Sequence, residues 1–334
     1  MSMISVGDMA QQFVSMRTGG TIKSDLAELA ESLSTGRVTD ITSTLNGQTV
    51  RFSGINYRLD QLEAFSGTLT ETAQYLADVQ TVLAQVKEIG DLTADRLLLV
   101  NDSSTRAQID EAAKSSAFAF DAIVQSVNTR IADRALLSGA AVDRSPLAPA
   151  ADMLANIIAT IPAGADSDMI TAIVDDWFTA PLGGFATMGY LGDTGSGIDK
   201  KISDSKIVGL DTRGDDPALV SLLKATALAA VASELPALDQ GTRKDLLQTA
   251  GRQLFDAAPD FVAMQAQVGF TEAVVESTMA ENAAQTVSLE IAQNGLINAD
   301  PFETATKLQA VQLQLETHFA VTARMGQLSL LRYI

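Results

Sequence analysis

Leucines at every seventh position constrain this chain more than any other feature of the sequence. One series consists of Leu62, Leu69, Leu76 and Leu83, and a second series, three places on, consists of Phe65, Thr72, Val79 and Val86. Two such positions per heptad, sustained over several repeats, form the a and d seam of a coiled coil. The pattern predicts one long helix over roughly residues 55–100, with its seam in the core of an intramolecular bundle.

A second long helix is predicted after the polar break at residues 101–104, where Asn-Asp-Ser-Ser supplies capping side chains. It is expected to end at the Ser-Gly pair of residues 138–139. Its apolar face consists of Ile109, Ala113, Phe120, Val124, Val127 and Ile131. Two long helices joined by a short polar break predict an antiparallel helical hairpin.

The N-terminal region predicts an amphipathic helix. Leu26, Leu29 and Leu33 follow helical spacing. Asp25 is expected to cap the start of this helix, and Gly36 is expected to cap its end. Residues 39–53 are polar and rich in β-branched side chains, which favours a loop or a short hairpin.

The C-terminal region predicts two helices. The first carries apolar residues four apart, namely Val275, Met279, Ala283, Val287 and Ile291. The last helix begins with Asp300 as N-cap, Pro301 at the first helical position and Glu303 two residues later. Its apolar stripe consists of Leu308, Val311, Leu315 and Phe319.

The middle of the chain differs from both ends, because most of the prolines and a glycine-rich loop lie there. Residues 201–211 are predicted to form β-structure, and residues 218–235 and 242–257 are predicted to form short helices. The predicted fold class is therefore mainly α, a long helical bundle or coiled coil formed by both chain ends, with an α+β insertion domain in the middle. The expected division is 1–45 terminal helix, 46–143 helical hairpin, 144–260 α+β insertion domain, 261–299 return helix and 300–334 terminal helix.

Composition excludes several classes of function. The formal net charge of −18 disfavours nucleic acid and anionic membranes as partners. The chain has no cysteine and one histidine, so thiolate and multi-histidine metal sites are excluded, and no cofactor is expected. The N-terminus does not resemble a cleaved secretory signal, and no apolar run is expected to be long enough to cross a bilayer.

One tetrapeptide is a candidate for catalysis. Residues 193–196, Asp-Thr-Gly-Ser, match the aspartic-protease motif. That chemistry needs two aspartates that share a proton, in a β-rich frame. Here the motif occurs once in a mainly helical chain, so a glycine-rich turn is the favoured interpretation, and no catalytic residue is predicted.

The other titratable candidates are also interpreted structurally. The pairs Asp175-Asp176 and Asp215-Asp216 lack the alternating loop of a calcium site and are expected to be solvated turns or helix starts. His318, on the last helix, has no second base or nucleophile beside it in sequence and is expected to be a packing or interface residue.

The residues at both ends resemble the bacterial flagellin family, and most of all its hook–filament junction members. The N-terminal residues that carry the resemblance are Ile4, Ser5, Leu26, Leu29 and the Leu-Ser-Thr-Gly-Arg-Val of residues 33–38. The Ala-Leu-Leu-Ser-Gly of residues 135–139 is similar to the end of the family's second core helix. The C-terminal carriers are more specific: residues 300–303, 306–309, 315–316, 321–324 and 328–331.

Two details bear on the type of family member. The single aspartate of residues 39–44, Asp40, departs from the Asp-Asp segment common in the family. The ending Arg-Tyr-Ile at residues 332–334 is similar to that of the junction proteins. Both details favour a junction protein over a filament flagellin.

The resemblance implies an extracellular structural subunit of the flagellum, exported unfolded from the cytoplasm by the flagellar type III apparatus. It implies a homo-oligomer in a helical ring, with hook-associated protein 1 on the hook side, flagellin on the filament side, and a cytosolic export chaperone. We expect the terminal helices to supply the assembly and chaperone interface because two such helices alone bury too little surface. The residues expected in this interface are Leu26, Leu29, Leu33, Leu308, Val311, Leu315 and Phe319.

Three alternatives remain open at this point. The chain would be a short filament flagellin if it polymerises by itself. It would be an aspartic-type hydrolase if an activity depends on Asp193. It would be a cytosolic helical-bundle adaptor if it stays with the cells when flagella are sheared off.

Overall fold

A computed structural model of the chain describes residues 6–41, 45, 47–195, 197–235 and 237–331. Within these residues the fold is mainly α, with short strands in the middle, as predicted. The helices are α1 Val6–Thr35, α2 Thr49–Leu98, α3 Arg106–Val127, α4 Ala150–Thr160, α5 Ser167–Thr179, α6 Pro217–Glu234, α7 Gln240–Ile297 and α8 Pro301–Leu331. A single π-helical turn spans Phe185–Gly189.

Two antiparallel hairpins supply the β-structure of the described residues. The first joins β1 Arg130–Ile131 to β2 Arg134–Ala135. The second joins β3 Ile198–Lys201 to β4 Ile207–Leu210, with Ile198 opposite Leu210. The second hairpin confirms the β-character predicted for residues 201–211, although its first strand begins three residues earlier.

The described residues divide into two compact units. The first unit comprises the described parts of residues 1–63 and 283–334, and the second comprises residues 64–282. The two ends of the chain therefore lie in one unit, as expected for helices that meet in space. The five-part division expected from the sequence remains a prediction.

The core of the second unit contains the heptad seam. Leu69, Leu76 and Leu83 are at most 4% exposed, and Val79 and Val86 are fully buried in the same cluster as Phe120 of α3. The polar seam residue Thr72 is also buried, and its hydroxyl donates to the carbonyl of Thr68 at 2.7 Å. These positions confirm that the leucines serve the intramolecular core.

Close backbone approach shows which helices face α2. A Cβ built at Gly90 of α2 would lie 3.0 Å from Leu222 Cδ1 of α6. A Cβ at Gly251 of α7 would lie 2.9 Å from the Cβ of Leu97. The side-chain amide of Gln80 donates to the carbonyl of Gln265 at 2.8 Å. Hence α2 packs against both α6 and α7 in this unit.

An aromatic cluster closes the α4–α5 side of the second unit. Trp177 is 5% exposed, and its ring meets that of Phe178 edge-on at 4.7 Å between centroids. Its Nε1 donates to the side-chain oxygen of Asn156 at 2.7 Å. The single tryptophan therefore reports on the folding of this unit.

Helix α3 ends earlier than predicted, at Val127 rather than at residues 138–139. Its apolar face is confirmed as far as Val127, but Ile131 lies in β1 and is 39% exposed. The reason is the tight turn between β1 and β2, in which Ala132 and Asp133 have φ values of 47° and 61°. Two central residues with positive φ match the right-handed twist of a two-residue hairpin and cannot continue a helix.

Helix α7 is longer than predicted, because it continues through Pro259 instead of ending near residue 257 and restarting at residue 261. Proline removes one helical hydrogen bond and costs about 3 kcal/mol in a helix interior. Leu254 and Phe261 flank it and are at most 4% exposed in the core. The burial of these two side chains stabilises a continuous helix by more than the proline destabilises it.

The start of α1 was also predicted wrongly. The helix begins at Val6, so Asp25 lies inside it and is not its N-cap. Ile22, which precedes Asp25, is 4% exposed, and its burial favours continuing the helix. Residues 49–53, expected in a loop or hairpin, form the first turn of α2.

Helix α6 corrects the expectation that no segment is apolar enough to cross a bilayer. Its 18 residues, Pro217–Glu234, have the length and apolar character of a membrane span. However, Leu219, Leu223 and Val231 are fully buried inside the second unit. Its apolar character is accounted for by its place in the core.

Candidate assembly surface

The junction between the N- and C-terminal segments in the first unit is fixed by backbone hydrogen bonds. Gly36 has a φ of 70° and its N–H donates to the carbonyl of Ser32 at 2.9 Å, which confirms it as the cap of α1. The N–H of Ala299 donates to the carbonyl of Gly36 at 3.0 Å, and that of Val38 donates to Ile297 at 2.9 Å. The end of α1 is therefore tied to the residues before α8.

Helix α8 begins as predicted. The Asp300 carboxylate accepts from the backbone N–H groups of Phe302 and Glu303 at 2.8 and 3.1 Å. These contacts satisfy N–H groups that have no helical partner. Lys307 pairs with Glu303 at 2.7 Å one turn later.

Helices α1 and α8 pack along each other. The side chains of Leu26 and Leu29 on α1, and of Leu308, Val311 and Leu315 on α8, are half-buried. By contrast, Leu33 is 39% exposed and Phe319 is 52% exposed. Of the seven residues expected in the assembly interface, five are thus partly covered within the chain and two face solvent.

His318 lies at the contact between the two terminal helices. A Cβ built at Gly19 of α1 would be 3.0 Å from its Nε2. One turn further along, the hydroxyls of Ser15 and Thr322 are 3.3 Å apart. The Nζ of Lys23 lies 5.6 Å from the ring centroid of Phe319. The side chain of His318 therefore fills the contact between helices, in agreement with a packing role.

Large apolar side chains remain exposed on the terminal helices, and the sequence reasoning missed most of them. They are Met9, Phe13, Val14 and Met16 on α1 and Phe302, Leu313, Val321 and Met325 on α8, with exposed fractions from 37% to 84%. The signal was present, since Met9, Phe13 and Met16 follow helical spacing of four and three. Exposed large apolar side chains, where they adjoin one another, are candidates for contact with a protein partner.

A polar groove of about 650 Å³ lies beside the junction of the terminal segments. Its acidic side chains are Asp25, Glu28, Asp40, Asp300 and Glu303. At its base the hydroxyls of Ser32 and Thr39 are 2.8 Å apart, and Thr39 donates to the carbonyl of Glu28 at 3.1 Å. The hydroxyl network stabilises the segment after Gly36.

The segment around Asp193 is a turn. The N–H of Asp193 donates to the carbonyl of Ser138 at 2.9 Å, and the hydroxyl of Tyr190 donates to the Asp193 carbonyl at 3.0 Å. Arg213 donates to the carbonyl of Gly195 at 2.6 Å. This agrees with the interpretation as a glycine-rich turn; Ser196 lies outside the described residues.

The paired aspartates are held by ordinary structural contacts. Asp175 forms an ion pair with Lys224, and Asp215 pairs with Arg213 at 3.0 Å. Asp216 caps α6 through the N–H of Ala218 at 3.0 Å, and burial raises the pKa of its carboxyl. Within the described part of the chain, no group of three or more His, Cys, Asp or Glu side chains has the arrangement of a metal site.

A smaller cleft of about 210 Å³ lies between α2 and the two hairpins. At its rim Glu71 contacts Lys200 at 3.2 Å and Arg134 at 3.3 Å, and hydrogen bonding to Lys200 lowers the pKa of this carboxyl. The hydroxyl of Tyr75 donates to the carbonyl of Leu136 at 2.7 Å, and burial raises its pKa to about 12. These contacts fasten the hairpins to α2.

Comparison with known proteins agrees with the resemblance at family level. Residues 254–334 match the family model of the bacterial flagellin C-terminal helical region. No curated protein matches the chain. The fold is similar to that of a chain assigned as a flagellar hook-associated protein from Vibrio parahaemolyticus, with a TM-score of 0.52 and 10% identity, covering 74% of this chain and 96% of that chain.

The family-model match covers the C-terminal region of the chain, and the family it describes is structural rather than catalytic. At this identity the structural likeness concerns the fold alone. Ile4, Ser5 and residues 332–334, which contributed to the resemblance, lie outside the described residues.

Proposed function

We propose that this chain is a hook-associated junction protein of the bacterial flagellum, of the hook-associated protein 3 type, which links hook to filament without catalysis. The observation that carries the proposal is the pairing of two terminal helices with exposed apolar side chains. The second of these helices, α8, lies in the segment that matches a flagellin C-terminal region. The departure from the family's Asp-Asp segment at residues 39–44 favours the junction type.

In this proposal the terminal helices assemble with those of neighbouring copies into a helical ring. The residues on which this assembly is expected to depend remain Leu26, Leu29, Leu33, Leu308, Val311, Leu315 and Phe319. Exposed Phe13 and Leu313 extend this set. Burial of a large apolar side chain stabilises association by about 1.5–3 kcal/mol, so several together suffice to offset the ordering cost of assembly.

The partners follow from the same proposal. Hook-associated protein 1 contacts one side of the ring and flagellin contacts the other, outside the cell. Before export through the type III apparatus, a cytosolic chaperone covers the apolar stripe of α8 in helix-in-groove fashion. The experiment for this contact is Leu315→Asp, which is expected to abolish co-purification, with Gln312→Asp, an exposed polar position on α8, as the control. Unchanged binding by Leu315→Asp would exclude this surface.

Electron microscopy of the purified chain, concentrated and seeded with sheared flagellar fragments, tests the main proposal. A junction protein is expected to add short caps to fragment ends, because its contacts close on two different neighbours. Long filaments would refute the junction type and establish the filament-flagellin alternative. Phe13→Ser is the matched variant: it changes an exposed side chain and is expected to reduce capping while leaving the helical circular dichroism unchanged.

The alternatives from other classes are tested by simpler measurements. A hydrolase that used Asp193 would lose its activity in Asp193→Asn. A cytosolic adaptor would remain with the cells when flagella are sheared off, whereas a junction protein is expected in the sheared fraction.

A further inference from the structure

An apolar groove on the second unit is not used by the proposed terminal-helix assembly. It lies between α3 and α4 and has a volume of about 610 Å³. Its apolar lining consists of Ala117, Phe118, Ala150, Ala151, Leu154, Ala155 and Ile158. Small alanines predominate, so the groove is open to a bulky side chain from outside.

Phe118 stands at the rim of this groove. It lies on the outer face of α3, opposite the buried Phe120, and is 76% exposed. An isolated exposed apolar residue is common on protein surfaces. Here the large ring adjoins a groove lined with alanines, so one surface carries both a projection and a depression.

The charged side chains that line this groove are Lys114, Asp121 and Glu234, of which the first two lie on α3. Lys114 and Asp121 are both exposed and lie two helical turns apart, one on each side of Phe118. Lys114 forms no ion pair with the described residues, and Asp121 accepts a hydrogen bond only from Gln125 among them, at 2.6 Å. Each charge is thus available to an opposite charge on a partner.

We propose that a second copy of this chain docks here, with the two α3 helices antiparallel about a two-fold axis. In an antiparallel pair of helices, the facing residue moves towards the N-terminus of one helix as the position moves towards the C-terminus of the other. The register that places Lys114 opposite Asp121 of the second copy therefore also places Phe118 opposite its Ala117. Each ring enters the alanine-lined groove of the other copy, and two ion pairs flank the axis.

Self-complementarity is the reason that the occupant is a second copy and not another protein. A two-fold contact uses the same patch on both partners, so the patch must carry both members of every pair. Lys114 with Asp121, and Phe118 with Ala117, satisfy this condition within one stretch of α3. The α3 helix has 22 residues, so the contact is small and the dimer is expected to be weak, in the micromolar range or above.

The test is sedimentation equilibrium of the full-length chain over a range of concentrations, without flagellar seeds. The unaltered chain is expected to show a monomer–dimer equilibrium. Phe118→Ala is expected to weaken dimerisation by about a hundredfold, because both rings are lost from the contact. Lys114→Asp or Asp121→Lys alone is expected to weaken it by about tenfold, since each creates two like-charged pairs.

The decisive measurement mixes the two charge variants. In an antiparallel contact, a Lys114→Asp copy presents two carboxylates to a partner, and an Asp121→Lys copy presents two ammonium groups. The equimolar mixture is therefore expected to form a heterodimer at least as stable as the dimer of the unaltered chain. A chain that stays monomeric, a dimer indifferent to Phe118→Ala, or a mixture without rescue would each overturn the proposal.

Cross-linking provides a second check, which traps the contact covalently. The chain has no cysteine, so Ala117→Cys introduces a single thiol next to the proposed axis and keeps Phe118. Mild oxidation is expected to give a disulfide-linked dimer. Leu182→Cys, at a position 87% exposed and outside the groove, is the control and is expected to remain monomeric. Equal cross-linking of both variants would contradict the proposed contact.

Discussion

Two glycines on α7 allow the packing of α2 against α7 to be tested with matched substitutions. A Cβ at Gly251 would lie 2.9 Å from Leu97 Cβ and 3.3 Å from the backbone of residues 97 and 98. A Cβ at Gly269, on the same helix, would meet only the end of the Gln80 side chain, at 3.6 Å. Both positions face α2, but only Gly251 faces its backbone.

The expected changes in the free energy of unfolding have opposite signs. Replacing glycine by alanine inside a helix is worth about 1 kcal/mol of helix stability. Gly269→Ala is expected to realise most of this gain. At Gly251 the added methyl group must push two helices apart, which costs about 1–3 kcal/mol. Gly251→Ala is therefore expected to be less stable than Gly269→Ala by about 1–3 kcal/mol.

Urea denaturation followed by the fluorescence of Trp177 measures this difference, because the only tryptophan lies buried in the second unit. Far-ultraviolet circular dichroism of the same samples checks that helix content is unchanged before unfolding. If Gly251→Ala proved as stable as Gly269→Ala, the close approach of α2 and α7 would be refuted.

Three further predictions concern single contacts. Burial raises the pKa of Tyr75 from 10.0 to about 12 in the folded chain. Between these pH values the unfolded chain loses the phenol proton more readily than the folded chain. The free energy of unfolding is therefore expected to keep its full value below pH 10.0 and to fall as the pH rises towards 12. Denaturation curves across this range should show a shallower loss in Tyr75→Phe, and an unchanged slope would contradict the burial of the hydroxyl. Asp300→Ala is expected to lose about 1 kcal/mol in thermal or urea unfolding, whereas Asp300→Asn keeps the acceptor and most of the stability; equal losses would argue against capping. Gly36→Ala is expected to cost about 1–2 kcal/mol, because its φ is 70° and nothing lies within 4 Å of an added Cβ, so backbone strain is the sole penalty; Gly36→Asn should lose less, and no difference would exclude the left-handed cap.

Helix α8 shows why the exposure of single side chains is harder to predict from sequence than the position of a helix. Sequence periodicity correctly placed Leu308, Val311 and Leu315 on one stripe of α8. It did not show that this stripe is half-covered by α1, or that Phe302 and Leu313 remain exposed. An apolar stripe predicts that one face of a helix is buried. It does not predict whether the surface that covers this face belongs to the same chain or to another.

Local chemistry in the sequence was sufficient for the features that depend on neighbours in the chain. The heptads over residues 62–86 predicted a buried seam, Gly36 predicted a helix cap, and the Asp-Pro start at residues 300–301 predicted the beginning of α8. Each is governed by interactions within a turn or two of helix, where spacing and capping side chains decide the free energy.

The tertiary structure alone decided the features that depend on distant residues. Helix α7 passes through Pro259 because the core covers both flanking turns, and α3 ends at Val127 because a tight hairpin follows. The groove beside Phe118 is formed by α3 together with alanines of α4, so the sequence of α3 alone does not predict it. Local preferences of about 1–3 kcal/mol are outweighed where packing buries several large side chains, and packing partners far apart in sequence cannot be read from spacing.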